Sequence, residues 1–389
     1  MSFLQKLRDR RTPYEPLISI RISKSALLHN LDVFKGLMPG RLCAPVLKSN
    51  AYGHGLLEVA RILEGQKDIA FFVVDSYFEV RVLRTTGIRT PLLVIGHTPT
   101  ETIRRNPFDD VAFTIATLSQ LSDLAALRPP YSTIRTNGGV RGQPPILHIK
   151  LDTGMHRQGI VLEELPEAMR LVADCGVCVE GLCSHLADSD GNEPTFTKTQ
   201  IERWNGAVKA WKEKVPETHW YHLSATSGAR YAHDIDANLF RVGLGLYGFE
   251  CSNTVQGLLP ALSMHTKITA LRSIKTGESV GYNRTFTAER PTHIATTPAG
   301  YFEGVDRRLS NKGFVRIRGK ECPIVGRVSM NMTTIDVTDL PKVEEGDDVE
   351  IIGTDLSAKN NVAAIAEMCD TIPYDILVRI PAHLRREIE

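Results

Sequence analysis

The chain has 389 residues, 42% of them hydrophobic and 23% charged, which is ordinary for a soluble globular protein and long enough for two domains. Its formal net charge of +1 gives no reason to expect nucleic acid or an anionic membrane surface as partner. No apolar run reaches the roughly 18 residues that a membrane span needs. The opening stretch MSFLQKLRDRRTPYEP has basic residues with no apolar segment behind them, so a secretory signal is not expected. Seven scattered cysteines, an odd number, read as reduced thiols and point to the cytoplasm. Cys175, Cys178 and Cys183 contain a CxxC, but no second pair or histidine set accompanies it; they are read as small hydrophobes rather than a zinc site.

Taken in chain order, a strand LISIRIS at residues 17–23 is followed by eight short runs rich in Val, Ile and Phe: LCAPVLK, IAFFVVD, PLLVIGH, DVAFTIA, ILHIKLD, VEGLCSH, WYHLS and FRVGLGLYG. Amphipathic stretches of helical length, such as LLEVARILEG, YFEVRVLRTTG and VLEELPEAMRLVADCG, lie between several of them. The helix after WYHLS is weak. Strands alternating with helices pair in parallel through crossovers, and eight such units predict an α/β fold, a closed (β/α)8 barrel over residues 18–255. A Pro/Gly-rich loop is expected from Arg128 to Pro145. From residue 256 to 389 short strands are separated by Gly, Pro, Asn and Asp, with little helix before NVAAIAEMCD, which predicts a second, mostly-β domain. The strand at 17–23 has no barrel partner and is expected to pair with this domain.

A barrel of this kind places its chemistry at the C-terminal ends of its strands. Lys48 ends the first run, and Lys150, Asp152 and Arg157 follow the fifth. His185 ends the sixth, Ser224, Thr226 and Ser227 follow the seventh, and Arg241 lies in the eighth. A lone lysine there is usually a solvated strand end, and a lone histidine is usually a satisfied core residue. Their coincidence at strand ends is what argues for a functional rim. The rim is positive, which favours an anionic ligand, and Gly-rich turns such as GLGLYG can offer backbone N–H groups to phosphate.

Together VLKSNAYGHG, HIKLDTGMHRQG, EGLCSHLA, FRVGLGLYG, SVGYNRTFTA, GRVSMNMTTIDVT and IPYDIL resemble the alanine racemase family over residues 18 to 380. The resemblance implies an N-terminal barrel binding pyridoxal 5'-phosphate, a C-terminal β domain, and a head-to-tail homodimer whose subunits share active sites. It implies that Lys48 holds the cofactor as a Schiff base, that Tyr52, Ser227, Tyr374 and the amides of Gly243 and Leu244 bind its phosphate, and that Arg241 faces its pyridine nitrogen. His185 would link Arg241 to a catalytic tyrosine. Arg157 and the backbone of Met330 would meet the substrate carboxylate, and Lys150 matches a lysine that is carbamylated in many members. Racemisation needs an acid/base group on each face of a flat carbanion. By the resemblance these are Lys48 for the D-isomer and Tyr282, from the neighbouring subunit, for the L-isomer, in the interconversion of alanine that supplies D-alanine for peptidoglycan. Asn331 stands where the family commonly has Asp, Asn283 where it often has Gly, Thr226 where Asn is common and His156 where Gly is frequent. Asn331 keeps a serine or broad-specificity racemase open as an alternative. A decarboxylase or a non-catalytic pyridoxal-phosphate binder is a more distant one, since the former's Gly-rich phosphate motif is missing and the latter would lack Tyr282 and the β domain.

Overall fold

The computed structural model describes residues 15–126, 135–136, 139–140, 144–175, 177–250 and 255–389. They form two compact units, one from Lys24 to Pro260 and one that joins the segment up to Ser23 to Ala261–Glu389. The loop expected at Arg128–Pro145 lies largely outside the described residues.

After strand β1 (Ile18–Ile22) and helix α1 (Lys24–Leu37), the larger unit contains β2 (Leu42–Pro45), β3 (Phe72–Val74), β4 (Leu92–Val94), β5 (Val111–Ile115), β6 (Ile146–Asp152), β7 (Cys178–Cys183), β8 (Trp220–His222) and β9 (Leu239–Val242). Pairing is parallel from β3 through β8 and again between β9 and β2. The last two seams close by parallel bridges Cys43 to Ile69 and Val46 to Val73, and by backbone bonds from Asn238 N to Tyr221 O and from Arg241 N to Ser224 O. The eight strands are those expected from the apolar runs. Buried on both sides, they read as continuous hydrophobic stretches, as parallel strands do.

Helices α2 (Leu56–Leu63), α3 (Tyr77–Thr85), α4 (Thr100–Arg104), α5 (Leu118–Ala125), α6 (Leu165–Cys175) and α7 (Thr195–Lys214) cover this sheet. Helix α2 buries Leu56, Val59, Ala60, Ile62 and Leu63, each large side chain contributing roughly 1.5–3 kcal/mol by leaving water. Trp204 and Trp211 of α7 are fully buried, and their indole N–H groups donate to Asp236 O at 3.0 Å and Thr218 Oγ1 at 2.8 Å. Among the described residues no long helix follows β8 or β9. Single 3-10 turns, Ser227–Tyr231 and Leu244–Tyr247, stand there instead.

The smaller unit is built on a six-stranded sheet, with β10 (Leu262–Lys267), β13 (Phe314–Ile317), β14 (Lys320–Pro323), β16 (Asp348–Ile352) and β17 (Arg385–Ile388) in the order β14-β13-β16-β10-β1-β17. Strand β1 lies between β10, antiparallel, and β17, parallel. A second sheet joins β11 (Ala270–Ile274), β12 (Thr292–Thr297) and β15 (Thr333–Asp336). Two short helices, α8 (Val362–Met368) and α9 (Pro373–Val378), follow β16. Among the described residues no helix is long and apolar enough to cross a membrane.

Candidate active site

Lys48 does not end its strand as the sequence leads one to expect. Strand β2 stops at Pro45, although Val46 N still bonds Val242 O and Leu47 N bonds Val73 O, so the chain is held from both sides up to this point. Lys48 then opens a turn in which Ser49, Asn50, Ala51 and Tyr52 all have φ between 51° and 56°. Left-handed backbone costs a non-glycine residue roughly 1–2 kcal/mol, so such a run persists only where its surroundings fix it. Here Asn50 Oδ1 accepts from Leu56 N at 2.9 Å, and Gly53 N and Gly55 N bond back to Ser49 O and Asn50 O. Gly53 and Gly55 continue the turn with φ of 83° and 103°. The turn brings the buried ring of Tyr52 to 5.1 Å from that of Tyr247, whose hydroxyl donates to Val46 O at 2.7 Å.

Tyr52 also borders Gly243, where an added Cβ would come within 3.1 Å of the tyrosine oxygen and 3.9 Å of Thr226 Oγ1. Thr226 accepts from Gly245 N at 3.1 Å, and half-buried Ser227 opens the 3-10 turn beside it. The hydroxyls of Tyr52 and Thr226 thus face a glycine that has no side chain of its own, and Ser227 follows Thr226 directly in the chain. That donor set fits a phosphate group.

Arg241, buried on β9, organises the opposite side. Its Nη1 donates to His222 O at 3.0 Å and to His222 Nδ1; its Nη2 donates to Ser184 O at 2.8 Å, Leu223 O at 2.9 Å and His185 Nδ1 at 3.3 Å. A guanidinium only donates, so both histidines must accept at Nδ1 and carry their proton on Nε2. His222 Nε2 then donates to His148 Nδ1 at 2.9 Å, and His148 Nε2 points to Glu180 Oε2 at 3.9 Å. None of these contacts uses the Nε–H of Arg241, which is the donor left for a heteroaromatic nitrogen. Together with the hydroxyl cup, it makes the residues fit pyridoxal phosphate.

The histidines are kept neutral. Burial first, and then the charges of Arg241, Arg157, Lys150 and Lys48, push His185 down to about 3. Burial and Arg241 also hold His222 well below its ordinary value, and burial lowers His148 against the opposing pull of Glu180. Lys150 is lowered by burial and by Arg157 and Arg241, while Cys183 and Asp152 pull it the other way. Its ammonium lies 3.5 Å from Gln158 Oε1. Arg157 is exposed on the loop after β6. Lys48, Lys150, Arg157 and Arg241 therefore all act on one imidazole.

His148, His222 and Glu180 were not expected from the sequence. His148 and Lys150 stand two apart on β6 and so share a face of the strand, which is the signal that could have singled out a buried polar face. Gly181 on the next strand is forced by it, since a Cβ there would meet His148 Nδ1 at 2.3 Å. His156 has φ of 54°, a conformation that glycine adopts more readily.

Tyr282, Met330, Asn331 and Tyr374 lie in the smaller unit. Tyr282 follows Gly281 (φ 73°) and precedes Asn283 (φ 60°) and Arg284 (φ 50°). It is 68% exposed, and Tyr301, Phe302, Met330 and Met332 of the same unit are exposed as well. Tyr374 is half-buried near the start of α9. Asn331 Nδ2 donates to Glu303 Oε1 at 2.6 Å, and the other oxygen of this buried carboxylate accepts from Gly300 N at 2.8 Å. Tyr301 N and Phe302 N bond Ser329 O and Met330 O at 3.0 and 2.9 Å, so with the Asn331 bond the segment around Met330 is tied to 301–303 at three points.

Two family models cover the chain: the alanine racemase N-terminal domain over residues 22–251 and the alanine racemase C-terminal domain over residues 261–388. The chain belongs to the alanine racemase family. It is 34% identical over 369 residues to the alanine racemase of Syntrophobacter fumaroxidans, covering 93% of this chain and 94% of that one. It is 33% identical over 380 residues to alanine racemase 2 of Caldanaerobacter subterraneus subsp. tengcongensis, covering 94% and 93%. Among solved structures, alanine racemase from E. faecalis superimposes with a TM-score of 0.86 at 27% identity, over 97% of this chain and all 100% of that one. The Bacillus anthracis enzyme with bound L-Ala-P gives 0.84 at 28%, over 97% and 96%.

Proposed function

We propose that the chain is a pyridoxal-phosphate-dependent alanine racemase, interconverting L- and D-alanine and so supplying D-alanine for peptidoglycan. The observation that carries this reading is Arg241, fixed through both Nη atoms with its Nε–H left over, on the strand that pairs with the one leading to Lys48. When bound, the cofactor supplies an electron sink that acidifies the substrate's α-proton. The protein then has to move that proton on both faces. Lys48 serves one face, and Tyr282 of a second copy of the chain serves the other. An unperturbed tyrosine, with a pKa near 10, is a poor base at neutral pH. His185, neutral and with its proton on Nε2, can donate to the tyrosine oxygen and favour its ionised form. Arg241 cannot take a proton, so it leaves the pyridine nitrogen unprotonated and restrains charge delocalisation into the ring.

Arg157 holds the substrate carboxylate with the backbone of Met330. Tyr52, Ser227, Tyr374 and the amides of Gly243 and Leu244 bind the phosphate. The barrel unit from Lys24 to Pro260 binds the cofactor, and the β unit, which takes in strand Ile18–Ile22 and Ala261–Glu389, supplies the second base. The exposed side chains of Tyr282, Tyr301, Phe302, Met330 and Met332 support a homodimer that covers them. Lys150, lowered by burial and neighbouring cations, presents an amine suited to carbamylation, which would reverse its charge beside Arg157. Asn331 was the feature favouring serine. Its amide is engaged by Glu303, which leaves alanine as the preferred substrate.

The test is chiral chromatography of the pyridoxal-phosphate-loaded protein with L-alanine, L-serine and their D-forms. Alanine should interconvert much faster than serine. Tyr282→Phe should lose on the order of 10²–10⁴-fold in racemisation, the range one acid/base group supplies, while its α-proton exchange with D-alanine in deuterated water persists through Lys48. Equal rates on serine would overturn the choice of substrate, and an unimpaired Tyr282→Phe would overturn the two-base assignment.

A further inference from the structure

The left-handed turn after Lys48 is held from outside by one buried side chain that nothing in the sequence reading singled out. Ser49 N donates to Glu79 Oε1 at 2.8 Å, across 30 residues. The other oxygen of the same carboxylate accepts from Asp75 N at 2.8 Å and Ser76 N at 3.1 Å, at the start of α3. Ser76 completes a reciprocal cap, its Oγ accepting from Glu79 N at 3.4 Å. An ordinary capping glutamate satisfies the helix's own first turn and faces water. This one is only 9% exposed, and half of its acceptor capacity goes to a different element.

Ser49 is where that capacity matters most. It is the residue directly after Lys48 and the first of the four with positive φ. The other bonds that hold the turn are the backbone bond from Ala51 N to Leu47 O at 2.8 Å and, from downstream, those from Leu56 N to Asn50 and from Gly53 N and Gly55 N. Glu79 is the side chain that ties the upstream end, and it is anchored on α3, which packs outside the barrel strands. We infer that Glu79 is a positioning residue: it fixes the left-handed turn so that the Lys48 amine and the Tyr52 hydroxyl stand in register, one for the reacting carbon of the cofactor and one for its phosphate. This rests on the reading of Lys48 and Tyr52 given above.

Glu79→Gln exchanges one acceptor oxygen for an NH₂ group, which cannot satisfy the N–H groups on both sides. In the cofactor-loaded full chain it should speed amide hydrogen exchange at Ser49–Ala51 at least tenfold and speed loss of pyridoxal phosphate at least tenfold. It should lower kcat more than it raises KM. Ser76→Ala removes the other half of the cap without touching Ser49. It should destabilise the protein while leaving cofactor release within about twofold of the parent. Glu79→Asp keeps a carboxylate at the α3 terminus but withdraws it from Ser49, and it serves in place of Glu79→Gln should that variant not fold. Unchanged exchange at Ser49–Ala51 in the Glu79 variants, or equal cofactor loss in Ser76→Ala, would overturn the inference. Borohydride trapping and peptide mapping of the parent test Lys48 separately: cofactor trapped elsewhere would sink the Lys48 reading, while the exchange data would still judge the clamp.

Discussion

The two proposed bases both stand beside left-handed backbone, and the two turns are built on opposite plans. After Lys48, four residues of positive φ run from exposed Ser49 to buried Ala51 and Tyr52, with a hydrogen bond to the buried Glu79 carboxylate on α3 and, just before the turn, bonds to Val242 O and Val73 O of the barrel strands. After Tyr282, only Asn283 and Arg284 have positive φ, and the bonds are local or weak: Arg284 N to Gly281 O at 3.2 Å and Arg284 Nε to Ser279 Oγ at 3.3 Å. Beneath this second turn lies a small cluster of Val280, Ile294 and Val325 with Ile274 and Phe286 packed on it. One base is fixed by the unit that carries it. The other is displayed on a firm base with its ring in the open, which is the form expected of a group whose working surroundings come from a second copy.

That contrast can be broken most forcefully with acid. His148, His185 and His222 all have folded-state values below the ordinary 6.5, that of His185 at about 3. Between the two values the unfolded chain binds more protons, so stability rises with pH and is lost on acidification from about 6.5 downward. Each buried histidine contributes up to about 1.4 kcal/mol per pH unit. His185, held at about 3, alone costs on the order of 2 kcal/mol by pH 5, and the lowered His148 and His222 act in the same direction. The smaller unit has one such group, half-buried His265. The three tryptophans, Trp204, Trp211 and Trp220, all lie in the barrel unit and report on it alone. Urea unfolding followed by tryptophan emission should therefore weaken steeply from pH 7 to 5. Exchange protection of strand 262–267 should decline far less. A barrel signal flat over that range would show that the histidine chain is not held neutral.

What the sequence made legible follows the same division. The eight barrel strands were readable because burial on both faces leaves long apolar runs, and the convergence of His185 and Arg241 was readable because the fold places chemistry at strand ends, whereas Lys48, expected at such an end, lies beyond a strand that stops at Pro45. The left-handed turn was not, since Ser49, Ala51 and Tyr52 are residues that rarely adopt positive φ; only Asn50, Gly53 and Gly55 hint at it. Glu79 and the His148–His222 pair were not either, because what gives them meaning is a partner 30 or 74 residues away. Asn331 was read as a lost charge beside a substrate pocket. Its amide instead donates to Glu303, a contact that no spacing rule exposes.

Asn331→Asp sharpens this point at intermediate cost. It would set a second carboxylate against buried Glu303 and remove the donor, for a loss of about 1–3 kcal/mol. Urea unfolding of the smaller unit measures it, and Glu303→Gln in the same chain should recover most of the loss. If the single change costs nothing in stability yet shifts the alanine-to-serine rate ratio, Asn331 acts on substrate directly and the reading that Glu303 takes up its amide is wrong.

The smallest effect concerns the turn after Tyr282 itself. Asn283 has φ of 60°, and asparagine is among the few residues other than glycine that take this conformation readily, because its short amide can bond locally. Glycine at that position would meet the same requirement by having no Cβ. Asn283→Gly should therefore change stability by no more than about 0.5 kcal/mol, while Asn283→Ala, exposed and free of packing consequences, should cost about 1 kcal/mol through backbone strain alone. Equilibrium unfolding of the two variants separates them. Because the strain falls on the residue next to Tyr282, kcat should drop in the alanine variant and hold in the glycine variant. An alanine variant as stable and as active as the parent would mean that the turn after Tyr282 can relax out of its left-handed form without disturbing the base, which would leave Lys48 as the one base whose backbone is held under strain.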